Sequence, residues 1–391
     1  MTDPNWLAYE NLLAPWAARG TTSRGWEFDE KKNIGKDYRS PFQHDRDRIV
    51  HSAAFRRLEN KTQVYTNLFQ PGDQFRKRLT HSLEVAQIAR SIARTLSLNE
   101  DLTEAIALSH DIGHAPFGHK GQDILHDLMK DHGGFEHNTQ TLRFLCRIER
   151  RYPDFDGLNL TYEVREAIAK KGIAKNPGQV EPLKDQFRNH PSATLEAQVV
   201  DMSDPITYTT HDLDDGITAG TITVDMLKNC DFWIEGVDAV KRESPAVDSK
   251  ILQYQVVKYI IGEQVRDLVE TTRKNVQELA PKNIDDIRNN AGTLAGFSPE
   301  MKIKHKGLKN FLREYMYDTS NIKRMEHKAR EILRRLFDAF LEEPTLLPKS
   351  VQKHFDEAKK SGNETRIVCD YIAGMTDKFA VDVYGEIFTS T

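Results

Sequence analysis

The stretch RLTHSLEVAQIARSIARTLSLNEDLTEAIALSHDIGHAPFGHKGQ, residues 78–122, decides the fold class. From Thr80 onward Leu83, Val85, Ile88, Ile92 and Leu96 recur at helical spacing with polar residues mostly between them, which predicts an amphipathic helix. His81 falls on the stripe of Val85, Ile88 and Ile92 and so points towards the core. Residues 101–112 predict a second helix, with Asp101 or Thr103 as a cap and Gly113 and Pro116 as its end. His110-Asp111 closes this apolar helix beside Ala105, Ile106 and Leu108, and a buried His and Asp both require partners. Two neighbouring helices thus each present an inward histidine.

Outward from this stretch the helical pattern continues. Phe135 to Tyr152, Tyr162 to Ile173, Leu195 to Asp214, residues 251–280, 308–316, 322–342 and 364–388 read as helical, and alternating strands are scarce. The expected fold is all-α. Residues 1–50 read as an N-terminal arm packed on the body, 51–280 as the core, and 281–391 as a C-terminal helical portion, with the polar region 281–307 marking the boundary. Pro177 to Pro191 reads as a polar loop or lid.

Composition narrows the function class. Of 391 residues, 38% are hydrophobic and 29% charged, which describes a folding chain rather than a disordered one. The net charge of −4 carries no global basic field for nucleic acid. The first residues, with Asp3 and Glu10 and no basic stretch followed by an apolar core, do not read as a secretory signal, and no apolar run has the length of a membrane span. Cys146, Cys230 and Cys369 lie far apart, which argues against a disulfide framework or a thiolate zinc site. A cytoplasmic location without membrane partners is expected.

Six of the 14 histidines, His110, His114, His119, His126, His132 and His137, fall in one 28-residue span. His126 and His132 read as exposed helix-loop residues. The inward His81, His110 and Asp111 together suit a divalent transition metal, because imidazole nitrogen and carboxylate oxygen form such a donor set. The segment DMSDPITYTTHDLDDG (201–216) supplies five carboxylates on an otherwise apolar helix, and Asp204, expected on its first turn, offers a fourth ligand or simply a cap.

In that order, His81, His110-Asp111 and Asp204 resemble the H…HD…D pattern of the HD-domain phosphohydrolases. More closely, RDRIVHSAAFRRLENKTQV (46–64), RLTHSLEVAQIARSIAR (78–94), HDIGHAPFGHKGQ (110–122), GGFEHNTQT (133–141), DPITYTTHDLDDGI (204–217) and CDYIAGMTDKFA (369–380) resemble the deoxyguanosinetriphosphate triphosphohydrolase-like proteins. The resemblance implies hydrolysis of a deoxynucleoside triphosphate (dNTP) to deoxynucleoside and tripolyphosphate at one divalent ion: manganese, magnesium, iron or cobalt. It implies that His81, His110, Asp111 and Asp204 hold the ion. His119 then matches the proton donor to the 5′-oxygen, His114 and His137 the surroundings of the α-phosphate, and Arg78 a guanidinium facing it. Gln63 and Asp212 match residues that bind the 3′-hydroxyl, Tyr208 lines the substrate, and Val64 adds bulk beside the sugar.

At one position the chain departs from the family. Family members of the bacterial type commonly carry a carboxylate three residues after the catalytic histidine, where this chain has Gln122, an amide able to accept the ring N–H of His119 without lending charge. The resemblance also implies a homo-oligomer, tetramer or hexamer, and leaves room for a regulatory dNTP. Two alternatives stay open. One is an HD-type phosphomonoesterase or phosphodiesterase acting on nucleotides. The other is a nucleotide-sensing or single-stranded nucleic-acid-binding oligomer, for which MKIKHKGLK (301–309) and NIKRMEHKAREILRR (321–335) supply local positive charge. The tail CDYIAGMTDKFA reads as packing or subunit contact.

Overall fold

The computed structural model describes residues 5–28, 37–63, 75–175, 182–317 and 320–389. Among them no strand forms, and the β-type pairings are isolated bridges, Trp26 with Thr161, Thr62 with Lys77 and Arg150 with Gly157. The fold is all-α, as the periodicities predict.

Two compact units share the chain. One contains residues 23–82, 108–189 and 324–391, and the other residues 1–22, 83–107 and 190–323. The helix Arg78–Thr95 contributes its first residues to the former and the rest to the latter. His81, Val85, Ile88 and Ile92 are all buried on it, whereas Leu83 is 51% exposed. A residue two positions from His81 cannot share its face of a helix.

The first unit holds the histidine-rich segments. Pro41–Val50 is a helix inside the region read as an N-terminal arm. Its signal is a capping box: Ser40 Oγ accepts from the Gln43 N–H while the Gln43 side chain accepts from the Ser40 N–H. The segment expected to run helical from Phe135 to Tyr152 is shorter in fact. It forms the helix His137–Arg143 and a π-helical turn at Phe144–Ile148. There the chain becomes extended because the N–H groups of Gly157 and Leu158 donate to the carbonyls of Glu149 and Leu145, 2.7 Å each. The C-terminal stretch 364–388 is two helices, Glu364–Ala373 and Asp377–Phe388, the second capped by Thr376, whose Oγ1 accepts from Phe379 N at 3.2 Å.

The second unit contains the long helices Leu195–Thr218 and Ser249–Leu279. The cap of the helix Glu100–Ser109 is Asn99, whose Oδ1 accepts from Leu102 N at 3.1 Å, rather than Asp101 or Thr103. Leu195–Thr218 is capped by Thr194. Asp204 therefore lies well inside that helix, not on its first turn, and capping does not explain it. Pro299–Leu312 is helical well before residue 308, with Ser298 as its cap and Pro299 in its first turn.

Candidate active site

His110 and Asp111 occupy the turn that follows the helix Glu100–Ser109, and Gly113 lets this turn approach the helix His137–Arg143. A Cβ on Gly113 would lie 2.1 Å from the His137 carbonyl oxygen and 2.2 Å from Thr141 N. The approach is fixed by hydrogen bonds: Gly113 N donates to Thr141 Oγ1 at 2.8 Å, and that hydroxyl donates to the His110 carbonyl at 3.3 Å. Glu136 caps the His137 helix, its carboxylate accepting from the N–H groups of Asn138 and Thr139. After His114, Phe117 and Gly118 both take left-handed backbone conformations, and the helix Gly118–Leu128 begins, placing the exposed His119 in its first turn.

Asp111 is the centre of this unit's polar cluster. Arg78 donates from Nη1 to its Oδ2 at 2.7 Å. His114 Nε2 and His110 Nε2 lie 3.2 and 3.3 Å from its Oδ1, and His81 Nε2 lies 3.9 Å from its Oδ2. Burial by itself would raise the carboxyl, but His110, Arg78 and His114 outweigh it and hold Asp111 well below the usual carboxylate range. Burial, reinforced by Arg78, holds the His114 imidazole well below its ordinary value. His137 is lowered in the same way, by burial and then by His114. The rings pack closely. His114 stacks on His137 with centroids 4.0 Å apart, His119 meets His114 edge-on at 5.1 Å, and His81 and His110 lie 5.5 Å apart.

Several buried polar atoms of the cluster have no hydrogen-bond partner among the described residues. Arg78 is 1% exposed, and among the described residues its Nε and Nη2 have no hydrogen-bond partner. The side-chain oxygen of Gln63 is likewise buried without one. Buried guanidinium nitrogens in this state can receive an anion, since a fork of this kind matches phosphate oxygens.

Gln122 is placed differently from the expectation. Its Oε1 accepts the His137 N–H at 3.0 Å and lies 2.6 Å from His137 Nδ1, so the amide oxygen steadies His137 rather than serving the His119 ring. No local pattern signals this, because residues 122 and 137 are joined only through the packing of their two helices. A second residue that motif reading missed is Lys61. It is 1% exposed and donates to the carbonyls of His114 and of Ala373, the latter at 2.8 Å. Burial pushes its ammonium down to about 7. Val64 lies outside the described residues.

The remaining candidates are in the other unit, on the helix Leu195–Thr218. Asp204 and Tyr208 are half-buried, and Asp212 is buried and accepts a hydrogen bond from the Tyr317 hydroxyl. Lys309 lies over the Tyr208 ring, 5.6 Å from its centroid. Burial, then Asp204 and Asp212, raise the Tyr208 phenol above its ordinary value, so it stays protonated. Tyr317 and Lys309 come from a distant segment, and nothing in the local pattern links them to residues 208 and 212.

The donor set of the first unit suits a divalent cation. His81 and His110 are buried, and Asp111, His114 and His137 offer ligand atoms within 4.8 Å of one another. Among the described residues no helix is long and apolar enough to cross a membrane.

The chain matches the profile of the HD domain over residues 78–208 and that of the phosphohydrolase-associated domain over residues 295–386. It is 45% identical over 376 residues to a deoxyguanosinetriphosphate triphosphohydrolase-like protein of Geobacter metallireducens, covering 96% of this chain and 95% of that protein. The protein of the same name from Ralstonia pickettii is 46% identical over 380 residues, 97% of this chain and 95% of the relative. That from Thiobacillus denitrificans is 45% identical over 379 residues, 97% and 98%.

Proposed function

The chain belongs to the family of HD-domain deoxyguanosinetriphosphate triphosphohydrolase-like proteins, and from that premise we propose that it hydrolyses dNTPs to deoxynucleoside and tripolyphosphate with one divalent ion. The observation that carries this reading is Arg78, a buried guanidinium held by Asp111 with two nitrogens that have no partner among the described residues, within a histidine cluster.

In this reading His81, His110, Asp111 and Asp204 hold the ion. Bound there, it supplies positive charge and Lewis acidity at the phosphorus under attack. The family relationship supports Asp204 as a ligand, since the HD profile runs from residue 78 to residue 208, and so does its place inside a helix rather than at a cap.

The protein's own residues do the rest. Arg78 binds the α-phosphate, and His114 and His137, kept neutral, line it without adding charge. His119, exposed in the first turn of its helix, donates the proton that the departing 5′-oxygen needs. Gln122 holds the His137 ring in orientation. Gln63 and Asp212 bind the 3′-hydroxyl, Tyr208 packs on the substrate, and Val64 excludes a 2′-hydroxyl. Reading a hydroxyl with buried polar groups discriminates strongly, because an analogue lacking it leaves them unpaired.

The test is incubation of the protein, loaded in turn with manganese, magnesium, iron or cobalt, with each dNTP alone and in mixtures, followed by product separation. Deoxynucleoside and tripolyphosphate are expected, with ribonucleotides turned over more slowly. Release of orthophosphate or pyrophosphate refutes the triphosphohydrolase reading and leaves an HD-type phosphohydrolase of different outcome.

A further inference from the structure

The tail CDYIAGMTDKFA does more than pack. Asp377 opens the helix Asp377–Phe388, yet its carboxylate is not used on its own helix end, where Thr376 already supplies the cap. Instead Oδ1 accepts the N–H of Phe117 at 2.9 Å and Oδ2 accepts the N–H of Thr62 at 3.0 Å. Asp377 is 3% exposed, so water does not compete for either bond.

Both amides belong to segments that carry the candidate site. Thr62 stands between Lys61 and Gln63 and pairs with Lys77, the residue before Arg78. Arg78 N itself donates to the Lys61 carbonyl at 3.3 Å. Phe117 precedes Gly118-His119 and holds φ +64°, a left-handed conformation disfavoured for a residue with a Cβ. Such a conformation persists only where its surroundings hold it, and the Asp377 oxygen is what holds its N–H. Gly118 then closes on the other segment: a Cβ there would lie 3.3 Å from Arg78 Nη2 and 3.6 Å from the carbonyl oxygens of Thr62 and Gln63. Lys61 makes a neighbouring tie, donating to the carbonyls of His114 and of Ala373, the last residue of the helix Glu364–Ala373.

We propose that Asp377 is a positioning residue: one carboxylate from the C-terminal helix sets the Lys61–Gln63 segment and the Phe117 turn against each other, and thereby aims His119 and Arg78 at the same phosphate. A carboxylate is required because both bonds come from N–H donors. Asparagine has one acceptor oxygen, and its NH2 would face the second donor.

For its effect on turnover the inference rests on the phosphohydrolase reading; for its effect on the two amides it does not. The experiment compares Asp377→Ala, Asp377→Asn and Thr376→Ala in the full chain, by hydrogen exchange of peptides covering 61–63 and 115–118 and by kcat and KM. Asp377→Ala should speed exchange in both segments at least tenfold and lower kcat at least tenfold, with KM within threefold of the parent. Thr376→Ala loosens the same helix by removing its cap, yet should leave both segments and kcat within twofold. If Asp377→Ala does not fold, Asp377→Asn serves, with faster exchange in at least one segment and kcat lowered at least threefold. Unchanged exchange in both segments, or a fall in kcat matched by Thr376→Ala, overturns the proposal. If the parent protein turns over no dNTP, the functional reading fails, and exchange alone decides whether Asp377 joins the two segments.

Discussion

Replacing Gly113 by alanine tests whether the close approach of the His110 turn to the His137 helix builds the site. The new Cβ would stand 2.1 Å from the His137 carbonyl oxygen and 2.2 Å from Thr141 N, where ordinary contact begins near 3.4 Å. The turn and the helix must therefore part by about 1.3 Å, and because both obstacles are backbone atoms no rotamer change relieves them. Overpacking of this kind costs ~1–3 kcal/mol. Loss of the bond from Gly113 N to Thr141 Oγ1 adds about 1 kcal/mol. The displacement lies between the segment carrying His110, Asp111 and His114 and the one carrying His137, where a shift of about 1 Å lowers rate on the order of 100-fold. Gly262 is the control. It is exposed within the helix Ser249–Leu279, and a Cβ added there would meet nothing within 4 Å among the described residues, so alanine should stabilise by ~0.5–1 kcal/mol. Urea unfolding and initial rates of dNTP hydrolysis read the two variants. Equal unfolding midpoints, or a Gly113→Ala rate within twofold of Gly262→Ala, would refute the reasoning.

Arg78→Lys keeps a positive charge beside Asp111 but loses the two open guanidinium nitrogens; kcat/KM for dNTPs should fall about 30-fold, roughly 2 kcal/mol of transition-state stabilisation, and a parent-like value would remove Arg78 from phosphate binding. Asp45 is buried and accepts from Trp26 Nε1, Thr161 N and Thr161 Oγ1, yet burial, opposed by these bonds, pushes its carboxyl up to about 7. Above its unfolded value the folded protein then holds a proton the unfolded chain has lost, so this group's contribution is full at low pH and is lost as pH rises through about 7. The stability difference between the parent and Asp45→Asn, measured by urea unfolding from pH 5 to 8, should shift in favour of the variant as pH rises; a constant difference would show that Asp45 does not titrate in this range. Burial pushes the Cys369 thiol up to about 12 and raises Cys230, and Cys146 is also buried. An aromatic disulfide reagent should label these thiols only after denaturation, and rapid labelling of the native protein would contradict their burial.

Much of this protein is written in local patterns. The stripe of Val85, Ile88 and Ile92 orients His81, and His110-Asp111 follows an apolar helix, because helical periodicity is a nearest-neighbour property that a single chain displays by itself. The same holds for the caps at Ser40, Thr194 and Ser298, whose partners lie three residues away. Periodicity also misled where it was extended too far: Leu83 sits on the wrong face, and the run from Phe135 breaks at a π turn because its carbonyls are taken by residues 157 and 158.

What only the tertiary structure decided are the long-range hydrogen bonds. Gln122 serves His137, Lys61 reaches Ala373, and Asp377 joins Thr62 to Phe117 across separations of 315 and 260 residues. A buried amide must find an acceptor wherever the fold brings one, and the chain carries no periodic record of which distant residue that will be.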